Sequence, residues 1–334
     1  MTQATQAQAV PVLSEEAVVR GLRAAVHRAA AQQYFAMYSS VLGGIVTDPA
    51  LMILPMDDHM VHRGHAVFDT ATLVNGMLYQ LEAHLDRFDR SATLARIPSP
   101  YTRAQLREII LETAAASGQR NASVRYWLSV GPGGFGLHPR ECVGSSFYVM
   151  IYQTEKPSAA SYTEGLKFIT SSIPIKPPLF ARTKSTNYLP NALVVMEARD
   201  KGADNGIFID ARGMIGESSN MNVAFVTPER VLRHPTFDAI LSGCTVIRAL
   251  ELAKVLVNNG LLKDIVVADV SLDEAATAAE MLLLGSSVKV APITQWDGRP
   301  VGNGKPGPIA RALLELLDKD MQEGREQLVP VPYR

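Results

Sequence analysis

From residue 14, SEEAVVRGLRAAVHRAAAQQ sets apolar residues at helical spacing behind Ser14, whose hydroxyl can cap a first turn, and this predicts a helix over 14–33. Near residue 65 the period shortens to that of a strand. GHAVFDTATLV and MLYQL are two strand-like runs on either side of Asn75-Gly76, a dipeptide that tolerates the positive φ of a two-residue hairpin turn. EAHLDRFDRSATLARI returns to helical spacing, with His84, Arg87 and Ser91 on one face and Leu85, Phe88 and Leu94 turned toward the sheet. Further strands are predicted at 122–130 (ASVRYWLSV) and 145–153 (SSFYVMIYQ), separated by the Gly-rich GPGGFG. Together these elements predict a first α+β domain.

The polar, small-residue stretch TEKPSAASYTEG, 154–165, has the composition of a connection between domains. Beyond it the pattern predicts a strand (LKFITSSIPI), a Pro-rich turn, a helix (STNYLPNALVVMEARDKG) and a hairpin of GIFID and MIGESSNMNVAFV turned at Ala211-Arg212-Gly213. SGCTVIRALELAKVLVNNG starts on small residues and stops at Asn259-Gly260, as a helix does. Ser271 and Glu274 form a capping box, and MLLLGSSVKVAPI reads as one buried strand bent at Gly285. The resulting fold class is α/β (α+β). Its divisions are an N-terminal extension with a helix (1–40), a small domain (41–155), a linker (156–165) and a large domain (166–334).

Composition narrows the function. A chain of 334 residues, 47% hydrophobic, can bury a large core, and 32 Lys plus Arg against 33 Asp plus Glu leave no basic footprint for nucleic acid. Cys142 and Cys244, the two cysteines, are far apart and lack ligand-spaced neighbours, which argues against a disulfide framework or a zinc site and fits a reducing cytoplasm. No run approaches the length of a membrane span, and the first 13 residues lack the cationic start of a signal peptide. The expected partners are small molecules.

Three kinds of group in the second half could serve one site. Lys184 lies between the Pro-rich turn and a helix, where partial desolvation lowers an amine's pKa enough for Schiff-base chemistry, although a lone lysine is usually a solvated surface charge. Glu217, inside an otherwise apolar hairpin, can hold a pyridine nitrogen protonated; standing alone it would be an exposed turn acid. Ser242-Gly243-Cys244-Thr245 and Gly285-Ser286-Ser287 are turns whose N–H groups can cradle a phosphate, and Arg87 can reach the same dianion or simply pair with a helix acid.

The ordered runs HRGHAVFDT, HLDR, KSTNYLPN, DARGMIGESSNMNVAFV, ILSGCT, GSSVKVAPI and DGRPVGNGKPGPIA resemble the class IV, fold type IV aminotransferases over about residues 50 to 320. Within that family MDDHMVHRGHAVFDTA, SSIPIKPP and KSTNYLPN are most similar to the plant-type D-amino-acid transaminase branch. The resemblance implies pyridoxal 5'-phosphate as cofactor, a homodimer, and a small N-terminal domain beside a larger one with a barrel-like sheet. It makes Lys184 the Schiff-base lysine and proton carrier, and Glu217 the partner of the pyridine nitrogen. Arg87, Thr245 with the backbone of Val246, and Ser286 match phosphate-binding positions, Ser286 standing where the family often has Thr, and Ser287 completes that turn. Tyr188 matches a hydrogen-bond partner of the ring hydroxyl, and Asn222 a position near the cofactor or a packed hairpin residue.

The resemblance weakens on the substrate side. The Arg-x-His pair with which bacillary D-amino-acid transaminases grip a carboxylate is aligned here with Val130-Gly131-Pro132 and is absent. Arg63, read as lying on the strand that leads to Phe68, is the first replacement, and Arg182 is another. Arg125 falls on the face of its strand opposite Val124, Tyr126 and Val130, which assigns it to a structural ion pair in preference to substrate. Thr70 matches a threonine of aminodeoxychorismate lyase or is a plain β-branched strand residue. The expected reaction is ping-pong transfer of an amino group between a D-alanine-like donor and a 2-oxo acid. The alternatives are the lyase, an (R)-selective amine transaminase, a branched-chain aminotransferase, and a non-catalytic binding protein on the same fold.

Overall fold

The computed structural model describes residues 10–26, 33–153 and 157–334, and among these the chain forms two β-sheets with helices packed against them. The first sheet contains β1 (Gln33–Ser39), β2 (Gly44–Val46), β3 (Ala66–Val74), β4 (Met77–Tyr79), β5 (Ala122–Ser129) and β6 (Ser146–Gln153). The second contains β7 (Leu166–Thr170), β8 (Asn205–Ile209), β9 (Ile215–Ser218), β10 (Asn222–Val226), β11 (Val231–His234), β12 (Asp264–Val267), β13 (Glu280–Gly285), β14 (Lys289–Trp296) and the short β15 (Arg299–Pro300). A last strand, β16 (Leu328–Pro330), returns to the first sheet beside β4. The first sheet runs β16-β4-β3-β5-β6-β1-β2 and is antiparallel throughout. The second runs β12-β11-β10-β13-β14-β7-β8-β9, curls into a half-barrel and mixes parallel with antiparallel pairs.

In chain order the helices are α1 (Glu15–Val26), α2 (His59–Arg63), α3 (Leu81–Leu94), α4 (Arg103–Ala116), α5 (Ala160–Thr163), α6 (Pro178–Ala181), α7 (Leu189–Asp200), α8 (Cys244–Asn258), α9 (Leu272–Ala276) and α10 (Pro308–Glu323). No helix among the described residues is long and apolar enough to cross a membrane. Strand alternation divides β3 and β5 between two surroundings. Val67, Ala71 and Leu73 with Val124, Tyr126 and Leu128 face a core shared with Leu85 and Phe88 of α3 and Leu106 and Ile110 of α4. Phe68, Thr70, Ser123 and Arg125 take the opposite face, which the second sheet closes into a cavity.

In the middle of the second sheet both faces are covered, so β10 and β13 are near-continuous apolar runs. Ala224, Leu282 and Leu284 meet Val246, Ala253, Leu313 and Leu317 of α8 and α10, while Val223, Phe225, Met281 and Leu283 fill the inside of the curl with Phe168 and Ile293. Each fully buried Leu or Phe contributes roughly 1.5–3 kcal/mol, against about 0–1 kcal/mol for an exposed ion pair. The sheets therefore anchor the fold, whereas α1 buries no side chain and is held by Arg23 on Asp48.

Three sequence expectations change. Residue 33, the end of the expected 14–33 helix, opens strand β1, which runs to Ser39 and pairs with β6; residues 27–32 of the expected helix lie outside the described ones. MLLLGSSVKVAPI is two antiparallel strands, β13 and β14, because the chain reverses between Gly285 and a positive-φ Lys289. The helix expected from Ser185 starts at Leu189. Pro190 suits a first turn, and the residues before it are bound to β3 by Phe68 N–H on Lys184 O (2.9 Å) and Thr186 N–H on Ala66 O (3.0 Å).

Candidate active site

Lys184 is held at the centre of a cavity of about 450 Å³ between the two sheets. Its own N–H donates to Ser91 Oγ (3.2 Å), and its carbonyl takes the β3 bond already described, so both sides of the loop are fixed. The side chain is 9% exposed; Nζ lies 3.3 Å from the Tyr188 hydroxyl and 4.8 Å from the centre of the Phe68 ring. Burial, reinforced by the Arg87 guanidinium, lowers the Lys184 amine to about 8. A usable fraction of the neutral nucleophile therefore exists near neutral pH. Tyr188 goes the other way, pushed up to about 12 by burial, and stays a neutral hydroxyl.

Glu217 lines the same cavity from β9, a strand buried along its whole length. It accepts a hydrogen bond from Leu241 N–H (3.3 Å). Burial raises its carboxyl to about 7, opposed by Lys176, the Leu241 N–H, Lys184 and Arg87. Also at the cavity, α8 begins at Gly243 with no side-chain cap, and Ile247 is the first residue whose N–H bonds back into the helix. The earlier N–H groups, of Cys244, Thr245 and Val246, are thus donors with no intrahelical acceptor. Thr245 Oγ1 and Ser286 Oγ stand 3.4 Å apart beside them, and Ser287 and Asn222 line the same cavity. Asn222 Nδ2 donates to Leu241 O at 3.0 Å. A Cβ at Gly243 would overlap Asn222 Oδ1, so the backbone approach there depends on glycine.

Arg87 also lines the cavity. Its Nε and Nη2 donate to Asp69 Oδ2 and Oδ1 at 2.8 and 2.7 Å, and Nη1 donates to Ser242 O at 3.3 Å. His84 Nδ1 shares Asp69 Oδ1 at 2.8 Å. Burial works against the Asp69 charge, but Arg87 and His84 outweigh it and hold the carboxyl well below the usual range. His84 is raised to about 9; burial opposes its charge, and Cys244 and Asp69 prevail. Asp69 therefore pairs with both side chains, and Arg87 also reaches the Ser242 carbonyl, just before α8 presents its N–H groups. Asp69 was not singled out by sequence reasoning, although a carboxylate inside an apolar strand, facing a helix with His and Arg three residues apart, is a readable signal.

On the remaining wall Arg125 Nε donates to Thr70 Oγ1 (2.9 Å), and the guanidinium lies 5.3 and 5.4 Å from the ring centres of Phe68 and Tyr152. No carboxylate pairs with it among the described residues, so the expected structural ion pair is replaced by a guanidinium with open donors facing Lys184's cavity.

The other substrate-side candidates separate. Phe68 and Thr70 line the cavity. Arg63 does not: it ends α2 instead of lying on a strand, because Gly64 turns the chain at φ 63 before β3 starts. Its guanidinium donates to His62 O (3.0 Å) and Phe135 O (2.6 Å) on a different groove of about 290 Å³. Val130 shares the buried side of β5's end with Leu128 and belongs to the first core. Arg182 is exposed at the end of α6. The Val246 side chain is fully buried in the second core, leaving its N–H as the group at the helix start.

Unopposed N–H groups, two hydroxyls, an arginine, an amine and a carboxylate around one cavity fit a phosphorylated pyridine aldehyde. Residues 66–296 match the family Amino-transferase class IV, and the chain belongs to that family. A chloroplastic D-amino-acid transaminase of Arabidopsis thaliana is 50% identical over 331 residues, 98% of this chain and 87% of the relative. A D-alanine aminotransferase of Bacillus licheniformis is 24% identical over 274 residues, 80% and 91% of the two chains. Among solved structures, a T.th. branched-chain amino acid aminotransferase with pyridoxamine 5'-phosphate has a TM-score of 0.82 at 25% identity, over 90% of this chain and 99% of that one. The protein is a pyridoxal-phosphate-dependent aminotransferase of fold type IV.

Proposed function

We propose that the enzyme moves the amino group of a D-alanine-like donor to a 2-oxo acid by a ping-pong sequence. The Arabidopsis relative, matched along nearly the whole chain, supports the D-amino-acid donor. The single site observation that carries an amino-acid substrate is Arg125, whose guanidinium has open donors in the cavity that holds Lys184. A carboxylate in such a pocket needs a paired cation, and a planar fork is the suitable partner. Thr70 holds that fork by its hydroxyl, a role that requires no lyase chemistry.

Pyridoxal phosphate, when bound, supplies an electrophilic carbon and a ring able to accept the electron pair of the substrate's Cα–H bond. The phosphate would rest on the N–H groups of Thr245 and Val246, the hydroxyls of Thr245 and Ser286, the Ser287 turn and Arg87, with Asn222 behind them. Glu217 would oppose the ring nitrogen, and the Tyr188 hydroxyl would meet the ring's own hydroxyl. Lys184 would hold the cofactor covalently, and its freed, neutral amine would take the substrate's α-proton and deliver it to the carbon on the far side of the amino nitrogen, two atoms away, a short transfer that its lowered pKa favours.

The working form would be a homodimer. Leu137, Leu179 and Phe180 are 81%, 53% and 53% exposed around the Arg63 groove, an apolar rim that a second copy would cover. Arg63 could then reach a catalytic cavity only in the second copy. The two unpaired cysteines suit a cytoplasmic setting. A donor panel with 2-oxoglutarate tests the reading: D-alanine should be used and L-leucine and (R)-1-phenylethylamine should be poor. Preferred use of L-leucine, or release of pyruvate and aminobenzoate from aminodeoxychorismate, would contradict it.

A further inference from the structure

Between the end of β11 at His234 and the start of α8 at Cys244 the chain forms no helix or strand, and its last residues are held by side chains from both halves of the molecule. Leu241 is tied to the second sheet: its N–H donates to Glu217 at 3.3 Å, and its carbonyl accepts from Asn222 Nδ2 at 3.0 Å. Ser242, the next residue, is tied instead to α3 of the first half. Arg87 Nη1 donates to its carbonyl at 3.3 Å, and Arg90 Nη2 donates to its hydroxyl at 2.8 Å. Gly243 and the N–H groups of α8 follow at once, so whatever fixes Ser242 fixes the direction from which that helix begins.

Arg87 and Arg90 are three residues apart on α3, which brings both guanidinium groups to one side of the helix, beside the Ser91 hydroxyl that accepts the Lys184 N–H. Arg87 also serves Asp69. Arg90 has no carboxylate among the described residues, because Asp86 and Asp89, the neighbouring acids on α3, are taken by Arg103 at 2.7 and 3.1 Å. Arg90 is exposed and does not line the catalytic cavity, so its hydrogen bond to Ser242 is the contact through which it bears on the site.

We propose that Arg90 is a positioning residue for the cofactor's phosphate: by holding the Ser242 hydroxyl it sets the entry of α8, and with it the aim of the Cys244, Thr245 and Val246 N–H groups. This rests on the reading that those N–H groups receive the phosphate, and the test separates the two. In the full chain freed of cofactor, affinities for pyridoxal phosphate and for pyridoxal, which lacks the phosphate, are compared in wild type, Arg90→Ala, Ser242→Ala and the double variant. Arg90→Ala should weaken pyridoxal phosphate about fivefold and leave pyridoxal within about twofold, whereas a general loosening of the site would weaken both. Ser242→Ala should do the same, and the double variant should bind no more weakly than either single one, since both act through one contact. An unchanged affinity for pyridoxal phosphate, equal losses for the two ligands, or losses that add in the double variant would overturn the role given to Arg90. A wild type that binds the two ligands equally would contradict the phosphate reading itself, and the proposal with it.

Discussion

Arg125 and Asp69 stand on opposite faces of the neighbouring strands β5 and β3, and each face dictates what its residue does. Asp69 faces α3, meets Arg87 and His84, and is fully paired. Arg125 faces the cavity, where it meets a hydroxyl and two aromatic rings and keeps donors free. Replacing Arg125 by Gln should raise KM for both the amino acid and the 2-oxo acid roughly 10- to 100-fold, the value of a charge-assisted pair, with a much smaller change for a donor lacking a carboxylate. Steady-state kinetics on the two donor types would show it. Alternation alone identified the face of Arg125 but not what covers that face, because the covering residues come from another sheet. Lys184, Glu217 and Arg87, named from motifs that occur in one order, line one cavity, whereas Arg63 lies off it because the turn at Gly64 separates it from the strand.

Glu217 gives a pH prediction with a definite sign. Its carboxyl sits near 7 in the folded chain against 4.5 as its ordinary value, so the folded state retains a proton that the unfolded chain releases. Stability of the cofactor-free chain should fall as pH rises from about 4.5 through 7. Glu217→Gln removes that loss: equal to wild type near pH 4.5, it should be more stable by about 2–3 kcal/mol at pH 8, checked by denaturant unfolding at both pH values.

At the level of elements, the start of α8 shows why a helix can be sequence-evident while its use is not. The small residues before Thr245 marked the helix start, but only the packing shows Gly243 against Asn222 and the Thr245 and Ser286 hydroxyls side by side. Gly243→Val should push Asn222 and the first turn apart, weakening cofactor affinity at least about tenfold as the helix N–H groups lose their aim. A titration of cofactor into the variant and wild type measures this directly. Strand β1 was not foreseen because QYFAMYS follows a helical pattern without a strong breaker, and its place is set by pairing with β6, more than a hundred residues away. The β13–β14 hairpin was misread for a local reason: its turn residues Gly285-Ser286-Ser287 sit inside an apolar run, so the reversal resembled a bend.

Over the whole molecule, the catalytic cavity belongs to neither sheet alone. The first supplies Phe68, Thr70, Arg125 and, from its α3, Arg87; the second and its connections supply Lys184, Glu217, Thr245 and Ser286. The chain also returns at its end, with β16 on β4 and the Tyr79 hydroxyl donating to Asp320 at 2.5 Å, which ties the C-terminal segment to the first sheet. The last strand before the polar stretch belongs to the first sheet and the next, from Leu166, to the second; the return of the C-terminal strand was not readable, since three residues carry little pattern of their own. The central claim is that Lys184 anchors the cofactor in this shared cavity and carries the proton of D-amino-acid transamination. One measurement tests it most directly: the visible absorption of the cofactor-loaded enzyme and of Lys184→Ala, before and after D-alanine, then after 2-oxoglutarate. The account predicts a visible band in wild type that D-alanine removes and 2-oxoglutarate restores, and neither that band nor turnover above about a thousandth of wild type in Lys184→Ala. A wild-type band that D-alanine leaves unchanged, or a Lys184→Ala protein that cycles like wild type, would contradict it.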